Sequence, residues 1–537
     1  LDGRIWAPEF KSGAFSGRLD LIVNSANYGG PAVRDPILTV HQPPKPPAAA
    51  DISQAKVSFL AILPSIVLPM FIAVLDQTIV ATALPAMSSQ LGDVQHIAWI
   101  VVSYLIANTI AAPVYGRLGD VLGRARMMNV ALLVMMAGSV GCALAPNVWA
   151  LVAMRIVQGL GGGGLMTLSQ SLISESVPPR DRARYQGYLA AVVVFSNAFG
   201  PVAGGWLTSL FGWRSIFWIN LPLGLAALWF ARRLPRRRPQ TGDWRFDTPG
   251  LLFFVLFVAP ALIALEQIRN FAGANVAATT PLVGVSSASL MLLVRRELRA
   301  SQPLFPFSLL RDPTIWRSDA MAAFHGAALV SLIAYLPVYL RTARGLTPAE
   351  TGYFLLPIAF GIGLGSLVTG RLVSLTGRTT IFPSVALAPV VVSLFGVGLF
   401  HDRISPLWLS AVIGAMSFFM GSVMGVVQVT VQNAAGAGML GAAAGSVQFS
   451  RAIGASFGTA LVGALLLAVF TARDPGAVSV FADLLEHGPV ALAGLSPEQR
   501  TLAQSALDAS FRTVFLAIDV FAALAMICAW TVPSRRL

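Results

Sequence analysis

The sequence predicts an all-α polytopic membrane protein, and three observations carry that prediction. Of 537 residues, 55% are hydrophobic and only 11% are charged, where a soluble domain averages about 25% charged. Mean hydropathy is +0.72. The apolar residues form runs long enough for membrane helices, which need about 20 residues each, and their total fills about 14 such spans. Arginines cluster in the short segments between runs, the pattern of the positive-inside rule. This excludes a disordered chain, a fibre and an ordinary soluble enzyme.

The net charge is +13. In a soluble chain it would suggest nucleic acid. Here it sits in loops, so the expected partner is the lipid bilayer and no nucleic acid. Lys is nearly absent (Lys11, Lys45, Lys56), which reads as codon bias. Cys142 and Cys528 lie inside apolar runs and the five histidines are scattered, so neither a disulfide framework nor a metal site is expected. No nucleotide-binding loop, kinase signature or Ser-His-Asp pattern is visible. The chain is therefore expected to be no enzyme, to need no cofactor and to draw energy from an ion gradient.

In chain order, residues 1–57 are polar, with the stretch HQPPKPPAAAD, and are expected to form a disordered cytoplasmic tail. No methionine precedes Met70, which leaves residues 1–39 open as an extension of the native chain. Fourteen spans follow: 58–85, 97–116, 127–146, 149–174, 185–207, 213–233, 248–268, 276–295, 315–340, 350–372, 379–400, 405–430, 445–471 and 512–533. With the N-terminus inside, cytoplasmic segments carry 27 Lys and Arg and outer segments 8. That bias puts both termini in the cytoplasm. An odd number of spans would break the alternation. The longest outer loop, 472–511, has room for a short helix.

GRLGDVLGR begins at Gly116 after span 2, and GRLVSLTGR begins at Gly370 after span 10. The echo at equivalent sites indicates a duplicated six-helix unit. The expected organisation is an N-terminal six-helix bundle (58–234), a two-helix insert with cytoplasmic linkers (235–312), a C-terminal six-helix bundle (313–533) and a cytoplasmic end (534–537). Paired six-helix repeats around a midplane cavity are a transporter architecture.

Four motifs carry chemistry. LDQTIVATALP places Asp76 in span 1, and a carboxylate in hydrocarbon is expected to face the bundle interior or a wet cavity. Desolvation favours its neutral acid and a nearby Arg favours its anion, so a carboxyl balanced between them can load and release a proton. The alternative is a packing Asp satisfied by a hydroxyl such as Thr78. LVAMRIVQGLGGGG places Arg155 in span 4. Arg155 lies roughly 9 Å below its span's outer end and Asp76 roughly 14 Å below its own, so the Arg is placed to tune the carboxyl. The alternative is an Arg bound to loop carbonyls. Gly161–Gly164 suits close helix approach and is no phosphate loop, since no Lys-Ser/Thr follows it.

In span 5, Gly187 and Ser196 precede GPVAGG, with Gly200, Pro201, Gly204 and Gly205. Glycines and a proline there bend the helix and let it pack tightly, unless they serve only general helix crossing. The fourth motif, GRLGDVLGRAR, carries Gly116, Asp120, Gly123 and Arg124, and its second copy has Ser374 where the first has Asp120. Asn108, Gln158, Gln170, Asp319, His325, Tyr335, Gln428 and Asp519 are further intramembrane polar residues, assigned to a substrate cavity. Each is also open to a purely structural role.

These motifs resemble those of the major facilitator superfamily, and within it the fourteen-span drug:proton antiporter family of the EmrB/QacA type. LDQTIVATALP is similar to the family's L-D-x-T-x-x-N-x-A-L-P, with Ala81 where Asn is usual, and WRSIFWINLPLGL resembles its start of span 6. The resemblance covers 58–533. It implies the major facilitator fold, proton coupling through Asp76 and Arg155, and an antiporter signature in span 5, where Ser196 replaces one Gly. It also implies an inner-gate loop in which Asp120 caps the start of a helix in the other half. That helix would be span 13, which also carries Arg451. The alternative for this loop is a topology signal alone. The expected activity is export of amphipathic drugs or toxic small molecules across the inner cell membrane in exchange for protons, by a monomer. A periplasmic adaptor is a candidate partner. The rivals are a substrate-specific exporter or importer of a metabolite and a non-transporting membrane sensor.

Overall fold

The computed structural model describes residues 63–92, 96–234, 246–269, 276–300, 303–305, 307–473 and 496–533. The expected tail 1–57, the end 534–537, much of the linker 235–247 and most of the outer loop 472–511 lie outside the described residues. The chain divides at Ile52/Ser53, and the helices among the described residues belong to the second unit.

The first half contains α1 (Pro64–Leu91), α2 (Trp99–Leu122), α3 (Arg124–Leu144), α4 (Val148–Ser176), α5 (Pro179–Phe211), α6 (Ser215–Trp218) and α7 (Asn220–Ala231). Then come α8 (Thr248–Arg269) and α9 (Val276–Glu297), which pack on each other. The second half contains α10 (Pro313–Thr342), α11 (Pro348–Thr376), α12 (Ile381–Phe400), α13 (Pro406–Ala435), α14 (Leu440–Arg473) and α15 (Pro497–Thr531). Twelve helices among the described residues are long and apolar enough to cross a membrane. The sixth expected span is broken at Ile219 into α6 and α7, and α9 occupies the eighth position without being among the twelve.

Local chemistry sets the boundaries. Proline opens α1, α5, α10, α11, α13 and α15, where its missing N–H costs nothing. Asn147, Asp312 and Ser405 accept backbone N–H groups at the starts of α4, α10 and α13. Capping boxes, Thr347 with Glu350 and Ser496 with Gln499, start α11 and α15. Because of the second box, α15 begins at Pro497. The segment 497–511, expected as outer loop, is the first four turns of the last helix.

Each half has its own apolar core. In the second half it is built from α10–α15 around Leu394, Val427, Phe511 and Phe515. The first half has two clusters, one around Met128, Leu165 and Leu172 and one around Ile79, Leu151 and Phe217. The α8–α9 pair joins through Phe254, whose ring is tilted against that of Phe449 of α14 at 5.3 Å between centroids. The halves meet mainly through α2 against α14 and α5 against α11.

Candidate functional site

Asp76 and Arg155 are brought together in the interior of the first half. The packing that does so depends on the glycine run of α4. A Cβ on Gly161 would lie 2.5 Å from the Met135 nitrogen of α3, and Cβ atoms on Gly159 and Gly163 would strike the α2 backbone at Tyr104 and Asn108. With no side chains there, α4 lies against α2 and α3 and carries Arg155 inward, next to α1. Both Asp76 and Arg155 are 0% exposed.

Arg155 Nη1 donates to Asp76 Oδ2 at 2.6 Å. Asp76 Oδ1 accepts from Gln158 Nε2 and Asn220 Nδ2, each at 2.7 Å. Arg155 Nε donates to the Ile100 carbonyl at 3.2 Å, and Nη1 also donates to Gln158 Oε1 at 2.6 Å. The guanidinium lies over the Tyr104 ring, 4.1 Å from its centroid, and the Tyr104 hydroxyl donates to the Ala73 carbonyl of α1. Ser139 Oγ of α3 accepts from both Gln158 and Asn220. The carboxylate thus has a cation and two amide donors in a fully buried site. Removing one partner of such a buried pair leaves an uncompensated charge, a loss of about 3–5 kcal/mol.

Two members of this cluster differ from the sequence reading. Gln158, assigned to the substrate cavity, lies at the ion pair. Asn220 carried no assignment although it donates directly to Asp76. Its signal was an amide interrupting the apolar run 216–231. The approach of Tyr104 and Ser139 depends on helix rotation, which spacing along one helix does not fix.

The second assembly is at the arginine-rich end. Asp120 Oδ1 and Oδ2 accept the backbone N–H groups of Gly441 and Ala442, each at 2.8 Å, so Asp120 caps the first turn of α14. Arg124 pairs with Asp120 and, at 2.6 Å, with Glu175. Gly123, at φ +95°, makes the left-handed turn that returns Arg124 to Asp120. Cβ atoms on Gly116 and Gly441 would each run into the other residue's carbonyl, so glycine is needed on both helices. Arg451 lies about 15 Å along α14 from Gly441, hydrogen-bonded to Gln448 at 3.3 Å. The structure does not bring it to the Asp120 contact.

The repeated loop forms a related contact with the acid on the opposite partner. Ser374 Oγ donates at 3.1 Å to Asp181 Oδ1, in the first turn of α5. Of the span 5 motif, Gly200 and Gly204 face Thr78, Ile79 and Thr82 of α1, Gly187 faces Ser366 of α11, and Gly205 has nothing within 4 Å. Pro201 lies inside α5 on an exposed position.

The remaining polar residues are dispersed. Asn108 is half-buried against α4. Gln170 is buried on α4 with Oε1 unpartnered. The Tyr335 hydroxyl donates to the Thr459 carbonyl at 2.8 Å. His325 Nε2 is 3.0 Å from the Met420 carbonyl. Asp319 is buried beside Ser446. Gln428 is 1% exposed with neither amide atom bonded, and Asp519 is buried with Oδ1 unpartnered.

Two packed helical halves, a buried ion pair within one and a charged cap between them make up a multi-pass helical membrane protein. The sequence profile of the Major Facilitator Superfamily matches residues 66–459, and the chain belongs to that family of membrane transporters, not enzymes. An uncharacterized MFS-type transporter of Mycobacterium tuberculosis is 33% identical over 410 residues, 76% of this chain and 59% of that protein. The chain thus spans well under two thirds of that relative's length. The multidrug transporter protein MdtP of Bacillus subtilis is 29% identical over 414 residues, 75% of each chain. Among solved structures, the proton:xylose symporter XylE superposes with a TM-score of 0.58 at 15% identity, covering 89% of this chain and 96% of that one. The human organic anion transporter MFSD10 also gives 0.58 at 15% identity, covering 86% and 99%. Those two likenesses show the fold.

Proposed function

We propose that the chain is a fourteen-span, proton-coupled antiporter that exports amphipathic drugs or toxic small molecules across the cytoplasmic membrane by alternating access, with both termini inside. The observation that carries this is the Asp76–Arg155 pair at 2.6 Å, fully buried in one half. In the state described here Arg155 is the counter-charge of Asp76. Separating them is expensive unless a proton takes the place of the cation on the carboxyl. Protonation and helix movement are thereby coupled. The Asp120 contact with α14 closes the cytoplasmic end in the same state. Helices at all fourteen expected positions and relatives named a multidrug transporter, a multidrug resistance protein and an efflux pump support the reading.

The driving force is adequate. One charge crossing about 100 mV is worth roughly 2.3 kcal/mol, equivalent to a substrate gradient of about 50-fold.

A second reading, transport of a defined metabolite, is favoured by one relative, a vacuolar membrane amino acid uptake transporter of Schizosaccharomyces pombe, 29% identical over 345 residues. Whole cells expressing the chain separate the two. The antiporter reading predicts ethidium efflux and resistance across a drug panel, both lost with Asp76→Asn at equal expression. Amino acid transport with unchanged drug susceptibility would overturn it.

A further inference from the structure

Asp319 lies in the second half, about 9 Å into α10 from Pro313, and is 4% exposed. Its surroundings are the opposite of those of Asp76. Oδ2 has no hydrogen-bond partner, and the contact of Oδ1 is Ser446 Oγ of α14 at 3.4 Å. The same Ser446 Oγ is 3.0 Å from the Ala443 carbonyl. A hydroxyl has one proton to give and can accept in return. Ser446 Oγ is the donor to Asp319, but the Ala443 carbonyl competes for its one proton at the shorter distance. A carboxylate there would have at most one long hydrogen bond and a second oxygen with none.

Among the described residues no ion pair compensates a charge at this position. On α10 itself the ionisable neighbours are Arg317, which donates to the Thr531 carbonyl, and His325, about 9 Å along the helix. From α14 the neighbour is Arg451, about 7.5 Å past Ser446 and bonded to Gln448. From α15 it is the half-buried thiol of Cys528, with Asp519 about 14 Å further along. Arg311 precedes α10, and α13 carries no ionisable side chain. None of these forms an ion pair with Asp319 among the described residues. A buried carboxylate with no ion pair and a single long hydrogen bond is costly, and such a group neutralises instead.

We propose that Asp319 is a second proton site, held as the neutral acid while the Asp120 cap on α14 is closed and emptied to the cytoplasm when that cap opens. The link is α14. Its first turn is held by Asp120, and Ser446 lies about 7.5 Å beyond Gly441 on the same helix. When the start of α14 moves away, Ser446 moves with it and water reaches Asp319. The O–H bond then breaks, the proton passes to that water, and the carboxylate remains solvated. The proposal rests on the antiport reading for the use made of this proton, but the protonation state is measurable without transport.

Infrared spectroscopy of the full chain in liposomes at neutral pH reads the carbonyl stretch of a protonated carboxylic acid. The wild type is expected to show such a band, Asp319→Asn to lose it and Asp76→Asn to keep it. Ser446→Ala retains the carboxyl and is expected to move the band to higher frequency by removing its hydrogen-bond partner. An undiminished band in Asp319→Asn, or no band in the wild type, would overturn the proposal. Proton flux driven by ethidium tests the antiport reading separately. If both hold, protons moved per ethidium fall about twofold in Asp319→Asn. Unchanged stoichiometry would overturn the second site, while absence of flux in the wild type would overturn antiport and leave the infrared result standing.

Discussion

At the scale of single residues, Arg155 does four things at once. It pairs with Asp76, bonds Gln158 and the Ile100 carbonyl, and lies over Tyr104. A lysine ammonium supplies the charge but not the planar fork. Arg155→Lys is therefore expected to keep partial ethidium efflux and Arg155→Ala to lose it, with a melting temperature below wild type because Asp76 is left unpaired. Equal efflux in wild type and Arg155→Ala would reduce the residue to packing. Asn220→Ala removes one donor to a charged acceptor, about 1.5–3 kcal/mol, and is expected to slow efflux at unchanged expression. Unaltered efflux would remove Asn220 from the site. The approach of Asp76 to Arg155 was legible in the sequence because both are rare in hydrocarbon and at similar depth. Asn220 was not, because an amide in a membrane helix is common enough to be read as packing.

At the scale of elements, the contact between α2 and α14 combines a charged cap with reciprocal glycines. Asp120 gives both carboxylate oxygens to the two N–H groups of Gly441 and Ala442, and an anion at a helix N-terminus is favourable. Replacing Asp120 by Asn weakens the contact. A loss of about 1–2 kcal/mol shifts a two-state balance by about 5- to 30-fold. Cysteines introduced on the cytoplasmic side of the cavity are expected to become more accessible in Asp120→Asn. Equal accessibility would leave the loop as a topology signal. Ser374→Ala removes the hydrogen bond to Asp181 and is expected to have the smaller effect. The helix carrying Asp120's partner was legible from the loop's resemblance to a gate motif. The transfer of the acid to Asp181 in the second copy was not, because it requires knowing which helix start the repeated loop meets. The early start of α15 was legible in principle from the Ser496–Gln499 capping box, which the sequence reading left inside the outer loop 472–511.

At the scale of the whole molecule, the account joins two carboxyls in two halves to one moving contact. Asp76 is matched by a cation and two amides, and Asp319 has no ion-pair partner among the described residues. The contact between α2 and α14 joins the two halves at the arginine-rich end. The fold class was legible from hydropathy and arginine placement alone, since the bilayer admits few other solutions for such a chain. Which of the scattered polar residues line a substrate path was not, because that depends on the rotation of each helix about its axis, and the structure spreads Asn108, Gln170, Tyr335, Gln428 and Asp519 over five helices. The measurement that bears most directly on the central claim is proton movement driven by a transported dye. The full chain is reconstituted in liposomes with a pH indicator inside, ethidium is added to one side, and wild type is compared with Asp76→Asn. The account predicts ethidium-dependent proton flux in the opposite direction in the wild type and none in Asp76→Asn. Ethidium movement at the same rate in both proteins, with no accompanying proton flux, would contradict it.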